Sequence, residues 1–83
     1  MTEESIRNII VDLFRKRQAM QRLGEDDDFF ELGVSSLTII DLQIAVEEAL
    51  GMTLPTSELM RLSTMRQWIE IYTRNAPALR RVS

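Results

Sequence analysis

The 83-residue sequence contains neither cysteine nor histidine. Cysteine is needed for a disulfide or a thiolate nucleophile, and histidine is the commonest general base and a frequent zinc ligand. Glycine and proline are scarce, with three and two residues, and no apolar run approaches the length of a membrane-spanning helix. The sequence therefore predicts a non-catalytic protein that does not enter a membrane.

The length and composition are those of one small globular domain. Hydrophobic residues make up 45% of the chain and charged residues 28%, which is typical of a folded domain rather than of a disordered chain. The opening residues Met1 to Ser5 lack the basic start and long apolar core of a signal peptide. We expect a cytoplasmic monomer.

The charges are unevenly distributed along the chain. Between Arg22 and Arg61 there is no lysine or arginine, whereas the acids there are Glu25, Asp26, Asp27, Asp28, Glu31, Asp41, Glu47, Glu48 and Glu58. Such an anionic block disfavours binding to nucleic acid or an anionic membrane and favours partners with basic patches. The alternative is a solvated acidic loop that only keeps the protein soluble.

Hydrophobic periodicity predicts a first helix from about Glu3 to Arg17, with Thr2 as its N-cap. Its apolar stripe consists of Ile6, Ile9, Ile10, Leu13 and Phe14. From Gln18 to Val34 the periodicity fails, which predicts a long ordered loop. The apolar anchors of this loop are predicted to be Met20, Leu23, Phe29, Phe30 and Leu32.

A second helix is predicted to begin at Ser35 or Ser36 and to end near Leu50, followed by Gly51 as a C-terminal stop. One mainly apolar face comprises Ile39, Leu42, Gln43, Val46 and Leu50. The other, called the mixed face below, comprises Leu37, Ile40, Asp41, Ile44, Glu47 and Glu48. A small domain buries one broad stripe of a helix, so we expect the mixed face to be partly exposed and to bind partners.

The remainder of the chain predicts two further helices. A short one is expected from a cap at Thr56 or Ser57 to about Arg61, and a last one from a capping box at Thr64 to about Asn75. The stripe of the last helix is Met65, Trp68, Ile69 and Tyr72. The predicted fold is thus all-α, a small bundle of three main helices plus a short third one. We expect residues 1–75 to form the domain and residues 76–83 a flexible tail.

The segment FFELGVSSL at positions 29–37, entering the second helix, resembles the acyl carrier and peptidyl carrier proteins. The resemblance also includes the acids before Phe29, the acids late in the second helix and the segment from Pro55 to Leu59, and so covers nearly the whole chain. It implies that Ser36 carries a covalent 4′-phosphopantetheine arm, derived from coenzyme A, which holds intermediates as thioesters. The residue before this serine is commonly Asp, His or Asn in the family and is Ser35 here, a good helix cap.

The family also implies the class of partners. These are a phosphopantetheinyl transferase and an acyltransferase, ketosynthase or adenylating ligase with basic docking surfaces, which would contact the mixed face. The sequence favours a discrete acyl carrier of polyketide or mixed natural-product biosynthesis. An aminoacyl or peptidyl carrier of nonribosomal peptide biosynthesis is the second hypothesis and a primary fatty acid carrier the third. A helical interaction domain without a prosthetic group is the alternative of another class.

Overall fold

The computed structural model describes residues 2–76, which form four α-helices and contain no β-strand within that range. The helices are α1 (Glu3–Arg15), α2 (Ser36–Leu50), α3 (Thr56–Leu59) and α4 (Met65–Asn75), and a 3₁₀ turn covers Gln18–Met20. The predicted small all-α bundle is therefore confirmed. None of the helices in the described part of the chain is long and apolar enough to span a membrane.

Three of the helix ends are fixed at the predicted residues, two by side-chain caps and one by a glycine. The Thr2 hydroxyl accepts a hydrogen bond from the backbone N–H of Ser5 at the start of α1. Thr64 and Gln67 form the reciprocal capping box of α4, which satisfies backbone donors that have no partner inside the helix. Gly51 ends α2 with a φ of 67°, a left-handed conformation that glycine adopts without steric cost.

The short helix begins differently from the prediction. Pro55, not Thr56 or Ser57, occupies the N-cap position of α3, and no side chain caps it. The Thr56 hydroxyl donates instead to Oε1 of Gln43 on α2, at 2.9 Å. The predicted cap was therefore wrong because the hydroxyl has a tertiary partner that local sequence does not reveal.

The core forms where α1 packs against α2 and α4. Phe14 and Trp68 meet edge-to-face with ring centroids 5.2 Å apart, and Phe29 of the loop packs 6.1 Å from Phe14. Trp68 is completely buried, as predicted for a core residue. Ala76 is also buried, at 4% exposure, whereas the remainder of the predicted tail, 77–83, lies outside the described residues.

The long loop between Arg15 and Ser36 is anchored by buried apolar side chains. Met20, Leu23 and Phe29 are buried as predicted, and Phe30 packs partly against the core. Leu32, predicted as another anchor, is instead 63% exposed. Buried side chains therefore anchor the loop to the core, whereas Leu32 lies on its surface a few residues before the start of α2.

Candidate attachment site

Two adjacent serines at the start of α2 have different roles in the structure. Ser35 is the N-cap, and its hydroxyl accepts from the backbone N–H of Thr38 at 3.3 Å. Ser36 is the first helical residue and is exposed. Within residues 2–76 its hydroxyl forms no hydrogen bond, whereas that of Ser35 is engaged.

The backbone before Ser36 is held in a defined turn. The N–H of Val34 donates to the carbonyl of Phe29 at 3.0 Å, and the N–H of Phe29 donates to the carbonyl of Ser63 at 2.9 Å. Gly33, which lies between Phe29 and Val34 in the sequence, has a φ of 91°. No atom lies within 4 Å of the position that a Cβ atom would occupy there. Glycine is required there for its backbone conformation rather than for space. The turn fixes where α2 begins and hence where Ser36 is presented.

The start of α2 is suited to a phosphodiester on Ser36. Within the described chain the backbone N–H groups of Ser36 and Leu37 have no acceptor, and the first turn contains no acidic residue. Free N–H groups and the helix dipole both favour a phosphate at a helix N-terminus. The residues present therefore fit a phosphate-linked group at this position.

The mixed face of α2 is largely exposed, as the sequence analysis predicted. Leu37 is 75% exposed, Ile44 53% and Ile40 37%. Asp41 and Glu48 are exposed beside them. Leu32 adds a further exposed apolar side chain that the sequence analysis assigned to the core. Apolar residues bordered by acids are typical of a transient binding surface.

Glu47 differs from the other members of the mixed face because its carboxylate has three internal donors. Oε2 accepts from the backbone N–H of Leu54 at 2.8 Å, from the hydroxyl of Tyr72 at 3.0 Å and from Nε2 of Gln43 at 3.2 Å. Burial and the hydrogen bond to Glu47 raise the pKa of Tyr72 well above its usual range. The predicted contact of Glu47 with a partner remains a prediction, but its charge is already engaged within the fold.

Two acids of the loop are paired with distant arginines. Asp26 accepts two hydrogen bonds from Arg66 of α4, with the shorter at 2.6 Å, and Glu25 pairs with Arg7 of α1 and lies 3.7 Å from Arg66. The hydrogen bond from Arg66 lowers the pKa of Asp26 below its usual value. These two charges connect the loop to both terminal helices.

The other two acids of the run serve local turns. Asp27 accepts from the backbone N–H of Gly24 at 2.7 Å, and Asp28 accepts from that of Glu31 at 3.1 Å. All four acids from Glu25 to Asp28 therefore have internal partners. The run therefore helps to organise the loop before Ser36, while Asp26 and Asp27 remain exposed.

Residues 4–71 match the model of the phosphopantetheine attachment site family. This range includes α2, α3, the loop and most of α1 and α4. The chain therefore belongs to this family of carrier domains, whose members hold a covalently attached 4′-phosphopantetheine. Carrier domains of this kind generally hold substrates on the arm rather than transform them.

Curated relatives are much larger synthetases. A dimodular nonribosomal peptide synthase of Bacillus subtilis is 39% identical over 57 residues, which is 69% of this chain and 2% of that protein. A linear gramicidin synthase of Brevibacillus parabrevis is 33% identical over 84 residues, 98% of this chain and 2% of that protein. The hybrid PKS-NRPS synthetase apdA of Emericella nidulans is 39% identical over 46 residues, 55% of this chain and 1% of that protein.

Proposed function

We propose that Ser36 is the attachment residue and that the chain carries aminoacyl or peptidyl thioesters in nonribosomal peptide-type biosynthesis. The observation that carries the assignment of Ser36 is its exposed hydroxyl without an internal partner, within residues 2–76, at the first position of α2. Ser35, the competing hydroxyl, caps the helix. The family match supplies the class of prosthetic group.

The chain's own residues would present, hold and orient the group. Ser36 Oγ would hold the arm through an ester bond to its phosphate, formed with loss of the serine proton as the diphosphate of coenzyme A is cleaved and adenosine 3′,5′-bisphosphate leaves. The N–H groups of Ser36 and Leu37 are available to the phosphate oxygens. The arm supplies the thiol that a sequence without cysteine lacks. The modifying enzyme brings the catalytic groups, so the domain contributes a positioned hydroxyl and a surface to recognise.

The names of the similar proteins support the proposed cargo. The Bacillus protein is named as a nonribosomal peptide synthase and the Brevibacillus protein as a gramicidin synthase. These names favour an amino acid or peptide over the polyketide acyl group that the sequence analysis placed first. An acyl cargo of polyketide origin is the second candidate, favoured by the similarity to the hybrid synthetase.

The proposed docking surface is the exposed part of the mixed face. Its apolar centre and acidic border would suit enzymes with basic, partly apolar sites, such as a phosphopantetheinyl transferase and an adenylating ligase. Because a carrier must leave each enzyme, a small surface with weak affinity serves it better than a large one. The surface consists of Leu37, Ile40, Asp41, Ile44 and Glu48.

The attachment is tested by incubating the protein with coenzyme A, magnesium and a broad-specificity phosphopantetheinyl transferase, followed by intact mass spectrometry and peptide mapping. We expect one phosphopantetheine on Ser36 and none on the Ser36→Ala variant. Ser35→Ala is the matched control and should still be modified, although loss of the cap costs about 1 kcal/mol of stability. Modification of Ser35, or of no residue in a folded protein, would overturn the assignment.

The cargo is tested on the modified protein. Adenylating ligases with ATP and amino acids should load it, whereas acyltransferases with malonyl or other acyl thioesters of coenzyme A should not. Mass spectrometry distinguishes the two products. Loading only by the acyltransferases would favour the polyketide candidate.

A further inference from the structure

The connection between α2 and α3 is held by side chains rather than by regular structure. No helix or strand is formed from Met52 to Pro55, yet both backbone groups of Leu54 are engaged. Its N–H donates to Oε2 of Glu47 and its carbonyl accepts from Nε2 of Gln43, at 2.8 and 3.0 Å. Two residues of α2, four positions apart on the same side of the helix, thus hold one residue of the connector.

The same two side chains extend to both neighbouring helices. Oε1 of Gln43 accepts from the hydroxyl of Thr56 at the start of α3, at 2.9 Å. Glu47 accepts from the hydroxyl of Tyr72 on α4, at 3.0 Å. Gln43 is the one buried polar residue within positions 2–76, and both ends of its amide are satisfied. We call Gln43, Glu47, Leu54, Thr56 and Tyr72 the Glu47 cluster.

We infer that Glu47 is a positioning residue, which fixes the connector and α3 against α2 and acts on partner recognition without touching a partner. The part concerning partners rests on the proposed carrier function. Glu48, the next residue, is exposed to solvent, as expected of a residue whose charge contributes to docking. Glu48 would therefore affect recognition through its charge, and Glu47 through the geometry of the groups that it holds.

The effects of the two glutamates on partner binding should differ in their dependence on salt. A charge at the border of an interface speeds encounter, so removing it reduces the salt dependence of association. A carboxylate engaged by three internal donors acts through the geometry of the groups that it holds. Its loss should expose the connector to solvent at any salt concentration, because the N–H of Leu54 loses its acceptor.

The structural part is tested by amide hydrogen exchange on the unmodified protein, which requires no attachment at Ser36. In Glu47→Ala we expect the Leu54 amide to exchange about tenfold faster or more, with a smaller increase at Met60, whose N–H closes α3 onto Thr56. Glu47→Gln keeps an acceptor oxygen and should restore most of the protection. Val34 in the loop is the internal control and should not change.

The functional part is tested by the KM of the phosphopantetheinyl transferase for the unmodified protein at low and high salt. Glu48→Gln should flatten the salt dependence of KM, whereas Glu47→Gln should keep the slope of the parent protein. Glu47→Ala should raise KM at both salt concentrations. Should Glu47→Ala not fold, Tyr72→Phe serves as the milder test and should accelerate exchange at Leu54.

Two results would overturn the inference. One is unchanged protection of Leu54 in Glu47→Ala, and the other is a Glu47→Gln variant that flattens the salt dependence as Glu48→Gln does. Faster exchange at Leu54 in a chain that no transferase modifies would instead reject the carrier function and leave the structural role of Glu47 standing. The two proposals are therefore separable.

Discussion

The long loop before α2 and the short connector after it are both organised by acids, but in different environments. In the loop before α2, Asp26 pairs with Arg66 of α4 at the protein surface, and the partly buried Glu25 pairs with Arg7 of α1. In the connector after α2, the half-buried Glu47 accepts from neutral donors. A carboxylate thus stabilises the loop by attraction between charges and the connector by satisfying buried hydrogen-bond donors.

The energetic consequences differ as well. Surface ion pairs are screened by salt and contribute little individually, so most of the loop's stability must come from its buried apolar side chains. Hydrogen bonds in a partly buried cluster are less screened, and leaving one of their donors without an acceptor is costly. The loop should therefore respond to apolar truncation and to salt, and the connector to the loss of single polar atoms.

The largest effect is expected from Phe29→Ala. Phe29 is fully buried, and its ring packs against those of Phe14 and Phe30. Truncation leaves a cavity, and we expect the free energy of unfolding in urea to fall by about 3–5 kcal/mol. Leu32→Ala in the same loop is the control and should change it by less than about 0.5 kcal/mol because Leu32 is exposed. Comparable losses in both variants would contradict the role of Phe29 as the anchor.

An intermediate effect is expected from Tyr72→Phe in the Glu47 cluster. The substitution keeps the ring against Trp68 and removes the hydroxyl that donates to Glu47. The free energy of unfolding should fall by about 1 kcal/mol, equally in low and in high salt, as measured by urea denaturation. A loss that disappears in high salt would show that the cluster behaves like the ion pairs of the loop.

The smallest effect is expected from Asp26→Asn, and it should depend on pH and salt. The pKa of Asp26 is lower in the folded protein, mainly because Arg66 donates hydrogen bonds to the carboxylate. Its contribution to stability is therefore present above the unfolded pKa of about 3.9 and is lost as pH falls through the folded pKa. Parent and variant should differ slightly near neutral pH in low salt and converge in acid or in high salt, as measured by thermal unfolding. A difference that persists under both conditions would argue against charge pairing.

Local sequence signals predicted the parts of the fold that depend on near neighbours. The caps at Thr2, Ser35 and Thr64, and the stop at Gly51, each involve residues within a few positions. Periodicity likewise identified the buried stripes, including the full burial of Trp68. Local rules left Ser35 and Ser36 as alternatives for the start of α2, and the resemblance of the segment at 29–37 to carrier proteins indicated Ser36 as the attachment residue.

The features that the sequence did not reveal depend mainly on distant partners. Asp26 pairs with Arg66, which lies 40 residues further along the chain, and a run of acids gives no local sign of such an arginine. The helical periodicity of α2 predicts that Glu47 is partly exposed and binds partners. The structure shows that Leu54 and Tyr72, from other segments, donate hydrogen bonds to its carboxylate. Leu32 is apolar and yet exposed, which its residue type alone does not indicate.

The hydroxyl of Ser36, which forms no hydrogen bond within residues 2–76, determines how modification should affect the stability of the domain. Because this oxygen stabilises no other group within residues 2–76, esterifying it would remove no internal contact. The free N–H groups at the start of α2 would favour the added phosphate in the folded state, so attachment of the arm should leave the fold as stable as before or slightly more stable. A domain built in this way can be modified, and its cargo exchanged, without breaking any hydrogen bond described within its fold.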